Sequence, residues 1–124
     1  MEAGSVFTFA VKEEHRWVIL SDPKAYPDAV LIVNLTSWRK DKEQTCIIER
    51  GEHECIVKRS CVYYEGATIT TLRDLFNAMD GGVLKLERQL MPADVLKRIR
   101  DGVVLSDNVP TGVEELLRQQ GLIK

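Results

Sequence analysis

The hydrophobic positions divide the chain into a strand-rich first half and a helix-rich end. Short apolar or alternating stretches predict strands at residues 5–11, 15–21, 29–37, 45–49 and 60–64. The stretch at 29–37 (AVLIVNLTS) is almost continuously apolar, broken first at Asn34, which predicts a central strand buried on both faces. Glu65 and Gly66 predict a turn directly after the fifth strand.

Helical spacing replaces the strand pattern after residue 71. Four apolar residues recur on one helical face and predict a helix over 72–79, namely Leu72, Leu75, Phe76 and Met79. The stretch VLKL at 83–86 alternates as a short strand does. One further helix is predicted from Pro92 to just before Gly102, and another after a capping Thr111, with Val113, Leu116 and Leu117 facing inward. The pattern therefore predicts one β-rich α+β domain over residues 1–124, a curved sheet or small barrel covered by C-terminal helices.

Length and charge narrow the class of protein only moderately. The chain has 124 residues, 17 Lys and Arg against 19 Asp and Glu, and a formal charge of −2, so nothing in its net charge draws it to nucleic acid. Apolar stretches are too short to cross a membrane, and the N-terminus lacks the pattern of a secretion signal. Three cysteines without the spacing of a disulfide framework indicate reduced thiols. These features predict a cytoplasmic protein that has no membrane association.

The segment HRWVILSDP at 15–23, followed by AVLIVNLTS, resembles the PemK/MazF family of small bacterial toxins. Arg16 stands at the arginine position of that family, and Thr36 falls where its second strand ends. The resemblance covers residues 5–37, with Trp17 in place of the proline expected after the arginine and without the family's Gly-rich loop. It implies an SH3-like barrel, metal-independent cleavage of single-stranded RNA without a cofactor, an antitoxin partner and a homodimer.

Metal-independent RNA cleavage requires a general base, an acid and a cation for the charged transition state. His15 and Arg16 are candidates for base and cation, but neighbouring strand residues point to opposite faces, so the two cannot share one pocket without a bulge. Arg16 is the preferred of the two. The predicted catalytic residues are Arg16, Thr36 and His53.

The stretch GEHECIVKRSCVYY at 51–64 provides a second group of candidates. If residues 52–59 run back along the sheet, His53, Lys58 and Ser60 converge, with an imidazole for proton transfer and an ammonium for phosphate. The alternative is a charged surface loop that leads into a strand. Exposed cations, a hydroxyl and an aromatic ring for base stacking complete the predicted RNA-binding set, which is Arg39, Lys58, Ser60 and Trp38. Trp17, inside its strand, is predicted to belong to the core.

Cysteine and histidine spacing argues against a zinc site. Cys46, His53, Cys55 and Cys61 follow the pattern Cys-x6-His-x-Cys-x5-Cys, which lacks the paired knuckles of structural zinc sites, so no metal is predicted. Two functions are favoured on the sequence, ahead of a small metal-binding protein as a third. One is a toxin-like endoribonuclease, and the other is a non-catalytic protein-interaction module on the same barrel, presenting the loop at 38–44 or 51–59.

Overall fold

The computed structural model of the chain describes residues 1–10 and 12–124; the side chains of residues 12–14 stand outside that description. In chain order the elements are β1 (Val6–Phe9), β2 (Lys12–Ile19), β3 (Val30–Ser37), β4 (Ile47–Ile48), β5 (Ser60–Thr70), α1 (Leu72–Asp80), β6 (Leu84–Leu86), α2 (Ala93–Leu105) and α3 (Val113–Gln119). Every predicted strand and helix has a counterpart among them. Val11, predicted at the end of the first strand, lies outside the described residues.

The strands form one antiparallel sheet in the order β4-β5-β3-β2-β1-β6. β3 lies inside the sheet, and Val30 through Leu35 are all buried, which confirms the predicted central strand. Its continuous apolar run is the expected pattern, because residues on both faces of a central strand are shielded from water. The β-rich α+β class is confirmed. Among the described residues the sheet is open, with β4 and β6 as its two edges.

Alternation along β3 sends its side chains into two separate apolar clusters. Leu31, Val33 and Leu35 join the larger cluster, to which α2 and α3 contribute their buried faces. Val30 and Ile32 join the smaller cluster on the other side of the sheet, where α1 supplies Leu75. The sheet is therefore covered by helices on both faces, but the cover on the α1 side is short, since α1 has nine residues.

β5 departs from its predicted end. It runs for 11 residues through Glu65 and Gly66, the site of the predicted turn. The pairing with β3 shifts register between Ile32 and Asn34, so an irregularity in the ladder accommodates the turn-like residues without ending the strand.

Two helix ends also differ from the prediction. α2 continues past Gly102 to Leu105, so this glycine does not end the helix; it instead leaves room for the ring of Tyr64, which packs where a side chain at 102 would stand. α3 begins after Gly112, whose φ of 93° is the left-handed conformation that glycine tolerates, and no side chain caps it, so Thr111 is not the cap. The inward positions of α3 are confirmed, because Val113, Leu116 and Leu117 are buried.

The apolar face predicted for the first helix is only partly covered. Leu75 is buried, Leu72 and Met79 are half-buried, and Phe76 is 38% exposed. None of the helices in the described chain combines the length and the apolar character needed to cross a lipid bilayer.

Candidate functional site

A cavity opens on the α1 side of the sheet at the point where the apolar cover ends. Val30 and Ile32 are buried in the smaller cluster, and the next two residues of β3 on that face are Asn34 and Thr36. Both line a cavity of about 460 Å³. The change from apolar to polar residues along one face of one strand thus marks where packing ends and the cavity begins.

The cavity gathers side chains from four strands and one loop. Aromatic rings, one imidazole, one ammonium and small polar groups line it: Phe9, His15, Trp17, Asn34, Thr36, Lys42, Tyr63 and Gly66. Its volume lies within the range of about 300–1,000 Å³ that is typical of small-molecule sites, and a mixed lining of rings and few polar groups is typical as well.

The sheet register arranges these residues in two rows. Trp17 pairs with Asn34, and Asn34 pairs with Tyr63, so a carboxamide stands between two aromatic residues across β2, β3 and β5. His15 and Thr36 lie two residues further along β2 and β3, a distance of about 7 Å along the strands. One row therefore offers flat apolar surfaces, and the next offers groups that transfer protons or bind anions.

Asn34 is the least expected residue of the first row. It is only 8% exposed, and its Oδ1 has no hydrogen-bond partner in the described part of the chain. A Cβ at Gly66 would lie 2.6 Å from that oxygen and 2.8 Å from the Tyr63 ring, so residue 66 must be glycine for these side chains to sit as they do. A buried carbonyl oxygen without a donor costs about 1–3 kcal/mol, which calls for a compensating role.

The aromatic side chains are held by their neighbours. The rings of Phe9 and Trp17 meet edge to face, with centroids 5.7 Å apart and an interplanar angle of 72°. Tyr63 donates its hydroxyl to Glu65 Oε2 at 3.0 Å, and this hydrogen bond with the carboxylate raises the pKa of Tyr63. Trp17 is half-buried against the smaller cluster and borders the cavity, so its predicted place in the core is only partly correct.

Arg16 lies on the opposite face of the sheet, as strand alternation predicts. It lines a second cavity of about 270 Å³ together with Lys58, Ser60 and Ser37. Its Nε is 3.6 Å from Glu87 Oε1, and the two side chains are 31% and 26% exposed. The structure therefore brings the predicted Arg16, Lys58 and Ser60 together, and it separates His15 from them.

Thr36 borders both cavities, at the end of β3. It is the one residue that the two linings share, and it is half-buried. Of the three residues predicted to be catalytic, Thr36 therefore lies between the two candidate sites and Arg16 belongs to the second.

His53 is placed differently from its predicted role. It is 1% exposed, its Nδ1 accepts the Cys55 backbone N–H at 3.0 Å, and its Nε2 lies 2.7 Å from the carbonyl oxygen of Gln89. Because the Nδ1 acceptor carries no proton, Nε2–H is the donor to that carbonyl. Glu54 N–H adds a 3.1 Å hydrogen bond to Gln89 Oε1. With both ring nitrogens engaged inside the protein, His53 joins the 51–59 loop to the segment before α2, and we assign it this structural role.

The remaining RNA-binding candidates, Trp38 and Arg39, are the first two residues of the 38–44 loop. Trp38 donates its indole N–H to Gln44 Oε1 at 2.7 Å, and the guanidinium of Arg59 covers its ring at 5.5 Å. Arg39 is exposed and lies 3.8 Å from Asp41. Neither Trp38 nor Arg39 lines the cavity that holds His15, whereas Lys42 of the same loop does.

The cysteines and acidic groups do not assemble into a metal site. Within the described residues, no three His, Cys, Asp or Glu side chains gather closely enough to hold a metal ion. All three cysteines are free thiols. Burial raises the pKa of each of them, that of Cys55 to about 11.

No protein-family model, curated protein sequence or solved structure matches this chain. The PemK/MazF resemblance and the associated activity therefore remain predictions, and so does the SH3-like character of the curved sheet, which is open among the described residues.

Phe9, Asn34, Lys42 and Tyr63 are not among the predicted site residues. Only Asn34 carries a visible signal, since it is the first polar residue in an apolar run that belongs to a central strand. The other three come from separate segments, and nothing in their local sequence relates them to His15.

Proposed function

We propose that the chain is a toxin-like, metal-independent endoribonuclease that binds single-stranded RNA in the cavity of about 460 Å³ on the α1 side of the sheet. The observation that carries the proposal is the content of this one cavity: an imidazole, an ammonium, a hydroxyl and three aromatic rings. General acid–base cleavage uses a positioned imidazole or ammonium, and binding of unpaired bases uses aromatic rings beside cationic groups.

Aromatic rings favour a single strand over a duplex. Phe9, Trp17 and Tyr63 present ring surfaces to the cavity, and bases that are not paired can stack on such rings at about 1–3 kcal/mol per base. A base inside a duplex is already stacked and paired, and it has no free face to offer. The substrate class is therefore unpaired RNA.

The second row of the cavity supplies the cleavage chemistry. His15 takes the proton of the ribose 2′-hydroxyl, and the 2′-oxygen attacks the adjacent phosphorus. The bond from phosphorus to the 5′-oxygen breaks, and the Lys42 ammonium both compensates the phosphorane charge and protonates the leaving 5′-oxygen. The products are a 2′,3′-cyclic phosphate and a 5′-hydroxyl end. No metal or cofactor takes part in these steps.

The second cavity extends the RNA path. Arg16, Lys58 and Ser60 bind a phosphate of the strand as it passes Thr36 from one face of the sheet to the other. In this arrangement Thr36 acts near the reacting phosphate, Arg16 binds a neighbouring phosphate from the second cavity, and Arg39 and Trp38 contact RNA only beyond the cavity. A PemK/MazF-type barrel with an antitoxin that covers the cavity is consistent with this proposal. Both expectations depend on the cleavage activity.

The proposal is tested with purified protein and a long single-stranded RNA, with and without EDTA. We expect cleavage in both conditions, with 2′,3′-cyclic phosphate ends, and no cleavage of the DNA of the same sequence, which lacks the 2′-hydroxyl. His15→Gln and Lys42→Met should each lower the cleavage rate by about 100-fold or more, the range of a general acid or base.

Lys24→Met is the matched control, because Lys24 is exposed in the loop after β2 and lines neither cavity. Its cleavage rate should equal that of the wild type, and all variants should unfold at similar temperatures. Intact RNA at high concentrations of wild-type protein would sink the enzyme proposal, and unchanged cleavage by both His15→Gln and Lys42→Met would remove this cavity from the mechanism.

A non-catalytic interaction module is the second candidate function. The observation that favours it is Val57, which is 71% exposed in the 51–59 loop beside the exposed Lys58 and Arg59. An exposed apolar residue followed directly by two cations fits an acidic partner protein. Specific capture of such a partner by the wild type but not by Val57→Ser, together with intact RNA, would favour the module over the enzyme.

A further inference from the structure

We infer that Glu43 is a positioning residue: it holds the 38–44 loop against the end of α2 and so fixes the Lys42 ammonium at the cavity of about 460 Å³. This inference rests on the proposed function, in which Lys42 acts on the phosphorane, and it adds the group that keeps Lys42 in place. Glu43 and Lys42 are adjacent and half-buried, whereas residues 39–41 of the same loop are exposed.

The loop that carries Lys42 has no apolar anchor of its own. Residues 39–44 are charged or amide residues, and none of them is buried. Gln44 closes the loop on itself, because its Oε1 accepts the Trp38 indole N–H at 2.7 Å. Its Nε2 donates to the carbonyl oxygens of Lys42 and Arg39 at 2.8 and 3.2 Å. These bonds shape the loop, but the place of Lys42 over the cavity depends on a polar contact that reaches another segment.

Glu43 makes that contact. Its Oε2 accepts the Ser106 hydroxyl at 2.5 Å and the Thr45 hydroxyl at 2.6 Å. Ser106 directly follows α2, 63 residues from Glu43, and its oxygen accepts the Asn108 backbone N–H at 3.1 Å. Hydrogen bonds to an ionised carboxylate are roughly twice as strong as those between neutral groups. Among the described residues, the Glu43–Ser106 hydrogen bond is the one that joins residues 39–44 to a distant segment.

The carboxylates around Lys42 are engaged with other partners. Asp41 and Glu65 line a cavity of about 270 Å³ together with Lys42. Asp41 Oδ1 lies 3.8 Å from Arg39 Nε, Glu65 accepts the Tyr63 hydroxyl at 3.0 Å, and the carboxylate that follows Lys42 in the chain accepts two hydroxyls. No carboxylate in the described part of the chain forms an ion pair with Lys42. The ammonium is therefore available to a phosphate at the cavity.

The position of the Lys42 ammonium matters because a proton donor acts only within hydrogen-bond reach of the leaving oxygen, about 2.6–3.2 Å. A displacement of about 1 Å can lower a rate by about 100-fold. Without the hydrogen bond from Ser106 to Glu43, the loop adopts other positions and the ammonium is correctly placed for less of the time. The loss should appear in kcat rather than in KM, since the rings and Arg16 still bind RNA.

The first test needs no RNA. Limited trypsin digestion followed by mass spectrometry measures cleavage after Lys42 in the wild type, Glu43→Ala, Glu43→Gln and Ser106→Ala, with Glu115→Ala on the exposed side of α3 as the matched control. Glu43→Ala and Ser106→Ala break the same hydrogen bond from its two ends, so the test holds if one of them fails to fold. Both should speed cleavage of the loop by about tenfold or more, because a hydrogen bond to a charged group shifts the population of the detached loop by at least that factor.

The second test measures cleavage of single-stranded RNA by the same proteins. Glu43→Ala should lower kcat by about tenfold or more and change KM by less than about twofold. Glu43→Gln keeps an oxygen that accepts both hydroxyls, so its kcat should stay within about threefold of the wild-type value. In the Lys42→Met background, Glu43→Ala should have no further effect, since the group that it positions is gone.

Equal trypsin cleavage of the loop in the wild type, Glu43→Ala and Ser106→Ala overturns the inference, whether or not the protein cleaves RNA. A loss of RNA cleavage by Glu43→Ala that is equally large in the Lys42→Met background overturns it as well, because that result indicates a general structural effect. RNA that stays intact with every protein, together with the expected trypsin cleavage, removes the proposed function and still supports Glu43 as the residue that fixes the Lys42 loop.

Discussion

Gly102 provides the sharpest test of how the helices and the sheet fit together. It lies inside α2, where a Cβ would stand 1.9 Å from Tyr64 Oη and 2.7 Å from Cζ. Tyr64 is fully buried and donates its hydroxyl to the Ile99 carbonyl oxygen at 2.8 Å. Gly102→Ala therefore forces the Tyr64 ring to move away from α2.

The expected loss of stability combines three effects. Displacing the Tyr64 hydroxyl leaves a buried polar group unpaired, at about 1–3 kcal/mol. Forcing an extra methyl group into packed surroundings costs about 1–3 kcal/mol. Alanine recovers about 1 kcal/mol, because glycine is the poorer helix former. The net decrease in the free energy of unfolding is about 3 kcal/mol, a large part of the roughly 5–15 kcal/mol that holds a typical domain folded.

The assay is urea unfolding followed by circular dichroism, on Gly102→Ala, Tyr64→Phe and the double variant. Removing the Tyr64 hydroxyl eliminates the closest clash, so Gly102→Ala should cost less by about 1 kcal/mol or more when it is introduced together with Tyr64→Phe. Val104→Ala is the control, because that residue is 47% exposed on the same helix, and it should change stability by less than about 1 kcal/mol. Wild-type stability of Gly102→Ala, or strict additivity in the double variant, would refute this account of the packing.

Two further predictions concern ionisable groups. Arg98 donates to Glu52 at 2.7 and 2.9 Å, and these hydrogen bonds lower the pKa of Glu52 from its ordinary value of 4.5. The pair stabilises the fold above that pH and loses its effect as pH falls through the folded-state pKa of Glu52. In urea unfolding, Glu52→Gln should therefore lower the free energy of unfolding by about 1 kcal/mol at neutral pH and by nearly nothing in strong acid. An equal loss of stability at both pH values would contradict the assignment. Burial raises the pKa of the thiols of Cys46, Cys55 and Cys61. At neutral pH, Ellman's reagent should therefore react slowly with the native protein and quickly with all three thiols after unfolding. A thiol that reacts quickly in the native protein would contradict this burial.

Local patterns predict most of the fold because each depends on a neighbourhood of a few residues. The apolar run at 29–37 identifies the central strand, since only a strand shielded on both faces tolerates so many consecutive apolar residues. Strand alternation also separates His15 from Arg16 correctly. The predicted ends of the fifth strand and of the second helix are wrong at Gly66 and Gly102, because glycine usually ends an element and here it does not. In the structure both glycines lie within elements and make room for tyrosine side chains, Tyr63 at Gly66 and Tyr64 at Gly102.

The candidate site separates what local sequence patterns encode from what only contacts between distant segments decide. The sequence by itself determined the β-rich α+β class, the central strand and the opposite faces of His15 and Arg16, because these follow from side-chain periodicity along one segment. Only the tertiary structure decided that Lys42 and Tyr63 line the same cavity as His15. It also decided that the carbonyl oxygen of Gln89, 36 residues away, accepts a hydrogen bond from the ring of His53. Contacts between distant segments depend on how the sheet and its loops close over each other, and no local pattern encodes that closure.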